Sequence, residues 1–303
     1  MSTKAAVSPS PIKAVSSGTL APLALLGSMT SVCLGATFAH AMFATAGAAG
    51  TTSLRIALAA LMLAALRRPW RQRLAPRDLG RIALFGTVLG LMNLCFYMAI
   101  RSVPIGLAIA IEFVGPLAVA LFASRRALDL AWIALAVAGL VLLLPLHGLG
   151  AGLDPVGVGF ALTAACFWAA YIVTGQRLAH LDGGQAVSLA LAIGALAVLP
   201  FGIIGAGRTL LDPSLLAIGL VVALLSSAVP YSLEIFALRH LPRQTFGVLL
   251  SLEPAIGALV GLAFLGQHLR PVQWAAIACI VAASAGTTLA GRRSRRQAAA
   301  VPA

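Results

Sequence analysis

The sequence predicts an all-α integral membrane protein of ten transmembrane helices, arranged as two inverted five-helix repeats. Three observations carry that expectation. Apolar runs of about 20 residues, the length that crosses a bilayer's hydrocarbon, recur from Leu20 to Ala290. The chain is 60% hydrophobic and only 10% charged, with a mean hydropathy of +1.00, which is too little charge to keep a domain of this size dissolved. Finally, Ala99-Ile-Arg-Ser-Val-Pro104 matches Ala237-Leu-Arg-His-Leu-Pro242, and the same 138-residue offset brings Pro116 onto Pro254 and Ala120 onto Ala258.

Taken in order, residues 1–19 are rich in Ser, Pro and Ala, carry Lys4 and Lys13, and are expected to form a disordered cytoplasmic tail. Helices are expected at 20–39, 50–66, 80–100, 103–122 and 128–146 in the first repeat (20–146). The second repeat (156–290) is expected to hold helices at 156–176, 186–206, 213–237, 243–265 and 271–290, followed by a basic cytoplasmic tail at 291–303. The small residues of AHAMFATAGAAG after the first run imitate a signal-peptidase site, but the helix is read as retained because its loss would break the helix count. Trp132 pairs with Trp274 after a four-residue insertion, and Cys33 and Ala36 pair with Cys166 and Ala169. Five spans per repeat force the second copy to enter the membrane upside down. Chance similarity between Ala- and Leu-rich helices is the alternative, against which the aligned prolines and arginines weigh.

Charge sets the orientation. With the N-terminus in the cytoplasm, inward segments hold seventeen of the 21 basic residues, including Arg67, Arg68, Arg71, Arg73, Arg125, Arg126, Arg292 and Arg293. Outward segments hold only Arg101, Arg208 and Arg270, and Arg55 lies within a helix. The net charge of +13 is therefore an orientation signal in a multi-pass membrane protein with both termini cytoplasmic. It does not indicate a nucleic-acid partner. Cys33, Cys95, Cys166 and Cys279 show no paired spacing, so neither a metal site nor a disulfide framework is expected. No HExxH, paired-aspartate, GxSxG or phosphate-binding glycine motif occurs, which argues against an enzyme, a bound cofactor, or ATP use by this chain.

Glu112, Glu234 and Glu253 stand inside apolar runs, where an ionisable group is costly and marks a transport pathway. Proline has no N–H, so Pro116 frees the carbonyl of Glu112 and Pro254 that of Leu250, equivalent points of the two repeats. Broken helices of this kind supply polar backbone to a substrate or ion, although membrane helices also tolerate plain kinks. A carboxylate in a low-dielectric surrounding holds a proton more readily than one in water. Glu112 or Glu253 is thus expected to carry an exchanged proton or bind a substrate ammonium group, with Glu234 serving gating, pairing or coupling. Arg55 has two readings: binding a substrate carboxylate with its planar fork, or snorkelling or pairing near a helix end. Asn93, Tyr97, Trp168, Tyr171, Ser227 and Tyr231 are candidates for the cavity's hydrogen bonds and aromatic wall, with packing the alternative for Trp168 and Tyr171. Gly86/Gly90 and Gly257/Gly261 have GxxxG spacing, read as packing within the chain, with a homodimer contact the other use.

FYMAIRSVPIGLAIAIEFVGPLAVALFASRR (96–126), CFWAAYIVTGQR (166–177) and VPYSLEIFALRHLPRQTFGVLLSLEPAIGALVGLAFLG (229–266) resemble the threonine/homoserine exporters of the drug/metabolite transporter superfamily, in its ten-helix, EamA-like branch. The resemblance implies a bacterial inner-membrane exporter of small amino acids driven by proton antiport. Its partners would be a small-molecule substrate, protons and the bilayer. A carrier of the same fold for another metabolite or drug is the alternative. Such proteins often end the ninth helix with Gly-Glu, where this chain has Gly266-Gln267-His268. Cysteines introduced one at a time into the 67–79 loop should not react with an impermeant thiol reagent added outside intact cells, and labelling there would overturn the orientation.

Overall fold

Proline, glycine and aspartate at the ends of the apolar runs set where the helices start and stop. The computed structural model describes residues 12–69, 74–122, 127–143, 153–178, 180–181, 183–241, 246 and 249–299. The first half contains α1 (Ile12–Ala41), α2 (Phe43–Arg67), α3 (Pro76–Ala99), α4 (Ile105–Glu112), α5 (Val114–Phe122) and α6 (Ala127–Leu143). The second contains α7 (Pro155–Gln176), α8 (Gly183–Ala206), α9 (Pro213–Ala223), α10 (Val229–His240), α11 (Glu253–Leu265) and α12 (Pro271–Ala299). No strand occurs among the described residues.

Prolines open α3, α7, α9 and α12, where the missing N–H has no intrahelical partner to lose. Asp154 caps α7 by accepting from the N–H groups of Val156 and Gly157 at 3.2 and 3.1 Å. Asp212 does the same for α9, accepting from Ser214 N–H at 2.8 Å. A hydrogen bond from the Ser102 hydroxyl, then that from Val156, holds the exposed Asp154 carboxyl below the usual carboxylate range. Gly266 ends α11 in the left-handed conformation (φ 62°), and the next N–H, of Gln267, returns to the Gly261 carbonyl at 3.1 Å.

Several elements differ from the sequence expectation. α1 reaches back to Ile12, because no proline interrupts the chain between Pro11 and Pro22. α12 runs into the basic tail as far as Ala299 on Ala, Arg and Gln, all strong helix formers. The fourth span is two helices that meet at Phe113, beside the carbonyl Pro116 cannot serve. The eighth is α9, a π turn at Leu224–Ala228, and α10. Of the ninth, residues 243–245 and 247–248 lie outside the described set, and a turn at Ser251–Leu252 precedes α11. Phe113 and Ser251 are themselves 138 residues apart.

Large apolar side chains cover the outside of the bundle as well as filling its core. Phe122 and Ile204 are 92% and 85% exposed, as are most of Leu61, Leu66 and Leu211, whereas Thr51, Thr52, Ser53, Arg55 and Glu112 are buried. Such a surface suits lipid, and the Thr51, Thr52 and Ser53 hydroxyls inside find backbone carbonyls within the bundle. Among the described residues, five helical segments are long and apolar enough to cross a membrane: 20–41, 43–67, 76–99, 155–176 and 185–211.

Small residues let the helices touch backbone to backbone. α3 packs on α8 with Gly86 against the Ala190 carbonyl, and a Cβ on Gly90 would stand 2.6 Å from the Gly194 oxygen. α4 crosses α11 at Gly106, where a Cβ would lie 2.5 Å from the Ala258 Cα. Both GxxxG pairs thus face neighbours in the same chain. Ser53 ties α2 to α8 by donating to the Val198 carbonyl at 2.8 Å. Gly90→Ala should cost about 1–3 kcal/mol from overpacking and lower the thermal midpoint in detergent. Gly80→Ala, with open space around it, should hold or raise the midpoint by gaining about 0.5–1 kcal/mol of helix propensity.

Candidate functional site

The interruptions of the helices converge on one cavity. Its volume is about 160 Å³, and it is walled by Val32, Cys33 and Ala36 of α1, Arg55 of α2, Met92, Asn93, Phe96 and Tyr97 of α3, Ile109 and Glu112 of α4, Trp168 of α7, Ser226 of the π turn, and Glu253 of α11. Drug-sized sites run to about 300–1,000 Å³, so this volume suits a small solute.

Arg55 sits deeper than its place in the sequence implied. α2 begins at Phe43 because Gly47, with φ 64° and ψ 172°, lets the chain bend and continue. The hydroxyls of Thr51 and Thr52 donate to the carbonyls of Gly47 and Ala48 at 2.7 and 2.8 Å and cover the bend. Arg55 is therefore in the interior of the helix and only 6% exposed, and it does not snorkel. Its Nη1 donates to Ser226 Oγ at 3.0 Å, its Nη2 donates to Asn93 Oδ1, and its guanidinium carbon lies 4.7 Å from the centre of the Tyr97 ring. Nε is buried with no hydrogen-bond partner. Among the described residues no ion pair joins Arg55 to a carboxylate.

Glu112 is the last residue of α4 and Glu253 the first of α11. Both line the cavity. Glu112 is 7% exposed at the carbonyl-rich, negative end of its helix, a position that favours a positive partner. Glu253 stands at the opposite, N–H-rich end of its own helix, where its charge is better tolerated.

The other candidates divide. Asn93, Tyr97 and Trp168 join the cavity wall, and Trp168 meets Phe113 edge-on at 5.0 Å. Tyr171, one turn beyond Trp168, stacks on Phe85 at 4.7 Å and is not part of the wall. Glu234 lies between α10 and α1, where its carboxylate accepts from the Ser28 hydroxyl at 3.1 Å, and it too is outside the wall. The Tyr231 side chain lies outside the described set. Ser227 is buried away from the cavity, and its neighbour Ser226 takes the place expected for it. The reason is the π turn, in which Val229 N–H bonds the Leu224 carbonyl and one extra residue per turn shifts the register. Cys33 and Ala36 stood out in the sequence only as repeat markers. Val32, Met92, Phe96 and Ile109 carried no signal apart from their apolarity.

Comparison with known proteins places this arrangement. The EamA-like transporter family matches residues 155–289. The threonine/homoserine exporter RhtA of Escherichia coli (strain K12) is 46% identical over 272 residues, covering 90% of this chain and 92% of that protein. RhtA of Salmonella typhimurium (strain LT2) is 47% identical over 271 residues, covering 89% and 92%. The chain belongs to the EamA-like transporter family. It is a multi-pass membrane protein of the drug/metabolite transporter superfamily. A solved crystal structure with 22% identity aligns at a TM-score of 0.55 over 92% of this chain and 98% of its own, a likeness of fold.

Within the family frame, the Gly-Gln ending of the ninth span has a structural explanation. Gln267 Oε1 accepts from the Ile105 N–H at 3.1 Å, serving a free donor in the first turn of α4. A glutamate there offers the same acceptor. Gln267→Ala should destabilise the protein by about 1–3 kcal/mol, the cost of an unserved N–H, whereas Gln267→Glu should stay near the wild type in a detergent thermal melt.

Proposed function

We propose that the chain is a secondary active exporter of small amino acids of the threonine and homoserine kind, working in the bacterial inner membrane by proton antiport and alternating access. The observation that carries this reading is the charge layout of the cavity. The buried Arg55 lines the same small space as Glu112 and Glu253, and a zwitterionic amino acid has the complementary charges. Its carboxylate suits Arg55, whose planar fork forms strong charge-assisted bonds. Its ammonium suits Glu112 or Glu253. A proton and an ammonium group then compete for the same carboxylate, and that competition couples the two fluxes: the substrate leaves as the proton arrives. The direction, outward, and the substrate class follow the relatives' names.

Alternating access in this reading comes from two inverted five-span repeats, with both termini cytoplasmic. The packing supports it. Exchanging each span with the one five positions later turns α3 on α7 into α10 on α1, α5 on α7 into α11 on α1, and α3 on α8 into α9 on α2, and all six packings are present. The pairs α2 with α8, α4 with α11 and α6 with α12 map onto themselves and are present as well. Rocking one half against the other about this axis would open the cavity to either side in turn.

Counterflow of labelled threonine and homoserine in proteoliposomes, with and without an imposed pH gradient, tests the reading. Wild-type uptake should rise with the gradient, Glu112→Gln and Glu253→Gln together should abolish the gradient's effect, and Arg55→Ala should reduce uptake about a hundredfold. Absence of uptake by a folded, inserted wild type would discard the amino-acid assignment and turn the search to other metabolites and drugs.

A further inference from the structure

Arg55 donates to two side chains, and the state of those acceptors carries an inference that rests on the carboxylate reading above. Ser226 Oγ donates its only proton to the Val222 carbonyl at 2.7 Å, so its lone pairs are what remain for Arg55 Nη1 at 3.0 Å. Asn93 Nδ2 donates to the Leu89 carbonyl at 2.8 Å, which turns Oδ1 toward Arg55 Nη2. Each acceptor is locked by a bond to the carbonyl four residues back on its own helix. The Ser226 hydroxyl cannot offer a donor to an anion in the cavity without breaking its bond, and Asn93 cannot turn its oxygen away from Arg55 without breaking its own. The guanidinium is thereby pinned from α3 on one side and from the π turn on the other, with the Tyr97 ring at 4.7 Å. Of the three nitrogens of the fork only Nε is without a partner, and Nη1 and Nη2, each with one bond shown, keep a second N–H apiece.

The π turn delivers Ser226 to this place. Pro230 has no N–H to return to the preceding turn, and the Leu225 carbonyl takes the Ser31 hydroxyl of α1 at 2.7 Å instead. Gly35 on α1 gives the turn room, since a Cβ there would stand 3.1 Å from Ser226 N.

We propose that Asn93 and Ser226 are positioning residues for Arg55: they fix the guanidinium so that its spare N–H groups can meet the substrate carboxylate, and so set the preference for carboxylate-bearing solutes. They act through Arg55 and not as ligands themselves. A guanidinium free to swing would keep its charge but lose the aligned fork on which a bidentate bond depends.

The test is threonine counterflow by the full-length protein in proteoliposomes, competed by unlabelled threonine or by threoninol, its amino alcohol, which lacks the carboxylate. The wild type should prefer threonine. Ser226→Ala and Asn93→Ala should each raise the threonine KM about tenfold, as expected for losing one bond to a charged group, leave Vmax little changed, and narrow the threonine-to-threoninol preference by a similar factor. Ser226→Thr, which keeps the acceptor oxygen, should retain the wild-type preference. If either alanine variant, folded and inserted, keeps both the wild-type KM and the wild-type preference, positioning by that residue is overturned while the carboxylate reading stands. A wild type that transports threonine but does not distinguish it from threoninol, or that transports neither, overturns the carboxylate reading and the positioning role with it.

Discussion

Keeping the Arg55 charge inside a bundle that faces lipid is the constraint on which the interior depends. An isolated charge at that depth is costly, and no carboxylate pairs with Arg55 among the described residues. The protein instead surrounds the guanidinium with a serine oxygen, an amide oxygen and an aromatic face, drawn from the π turn and α3. Those partners impose requirements on the helices that carry them. The eighth span has an irregular turn, α1 keeps the approach to it close with glycine at position 35, and α2 bends at Gly47 so that Arg55 falls in a helix interior. Glu112 and Glu253 stand at two helix breaks, which leaves acidic and basic side chains lining one cavity.

The close helix contacts serve the same end. Helices that pass at glycine and alanine bring backbone against backbone, and the resulting dispersion contacts hold the bundle without a hydrophobic drive from water. Larger side chains are then free for the outer surface, where Phe122, Ile204 and Leu66 meet lipid. The apolar cavity wall of Val32, Met92, Phe96 and Ile109 surrounds the ionisable groups with low-dielectric material, which strengthens their electrostatics.

Much of this was legible in the sequence because hydrophobic run length and proline position act locally. Pro116 and Pro254 marked the breaks at Phe113 and Ser251–Leu252, and Glu112 and Glu253 stood out as charges in apolar runs. The depth of Arg55 was hidden because AHAMFATAGAAG, full of small residues, reads as the end of one helix and a loop, whereas the chain bends at Gly47 and carries on. The choice of Ser226 over Ser227 could not be read from 3.6-residue periodicity, since a π turn breaks that period. Trp168 and Tyr171 look alike on paper, three residues apart on one helix. Only tertiary packing, Tyr171 on Phe85 and Trp168 beside Phe113, separates them.

The serines of α1 have a consequence for how the chain is handled after synthesis. Ser31 supplies the Leu225 carbonyl, and Ser28 lies 3.2 Å from the Pro230 carbonyl and 3.1 Å from the Glu234 carboxylate. Cleavage at the small residues that follow α1 would remove all of these donors at once and leave bare acceptors facing hydrocarbon, at several kcal/mol for each unserved group. The first helix therefore acts as an internal strut that the eighth span cannot lose, and a peptidase that mistook it for a leader would destroy the transporter it released.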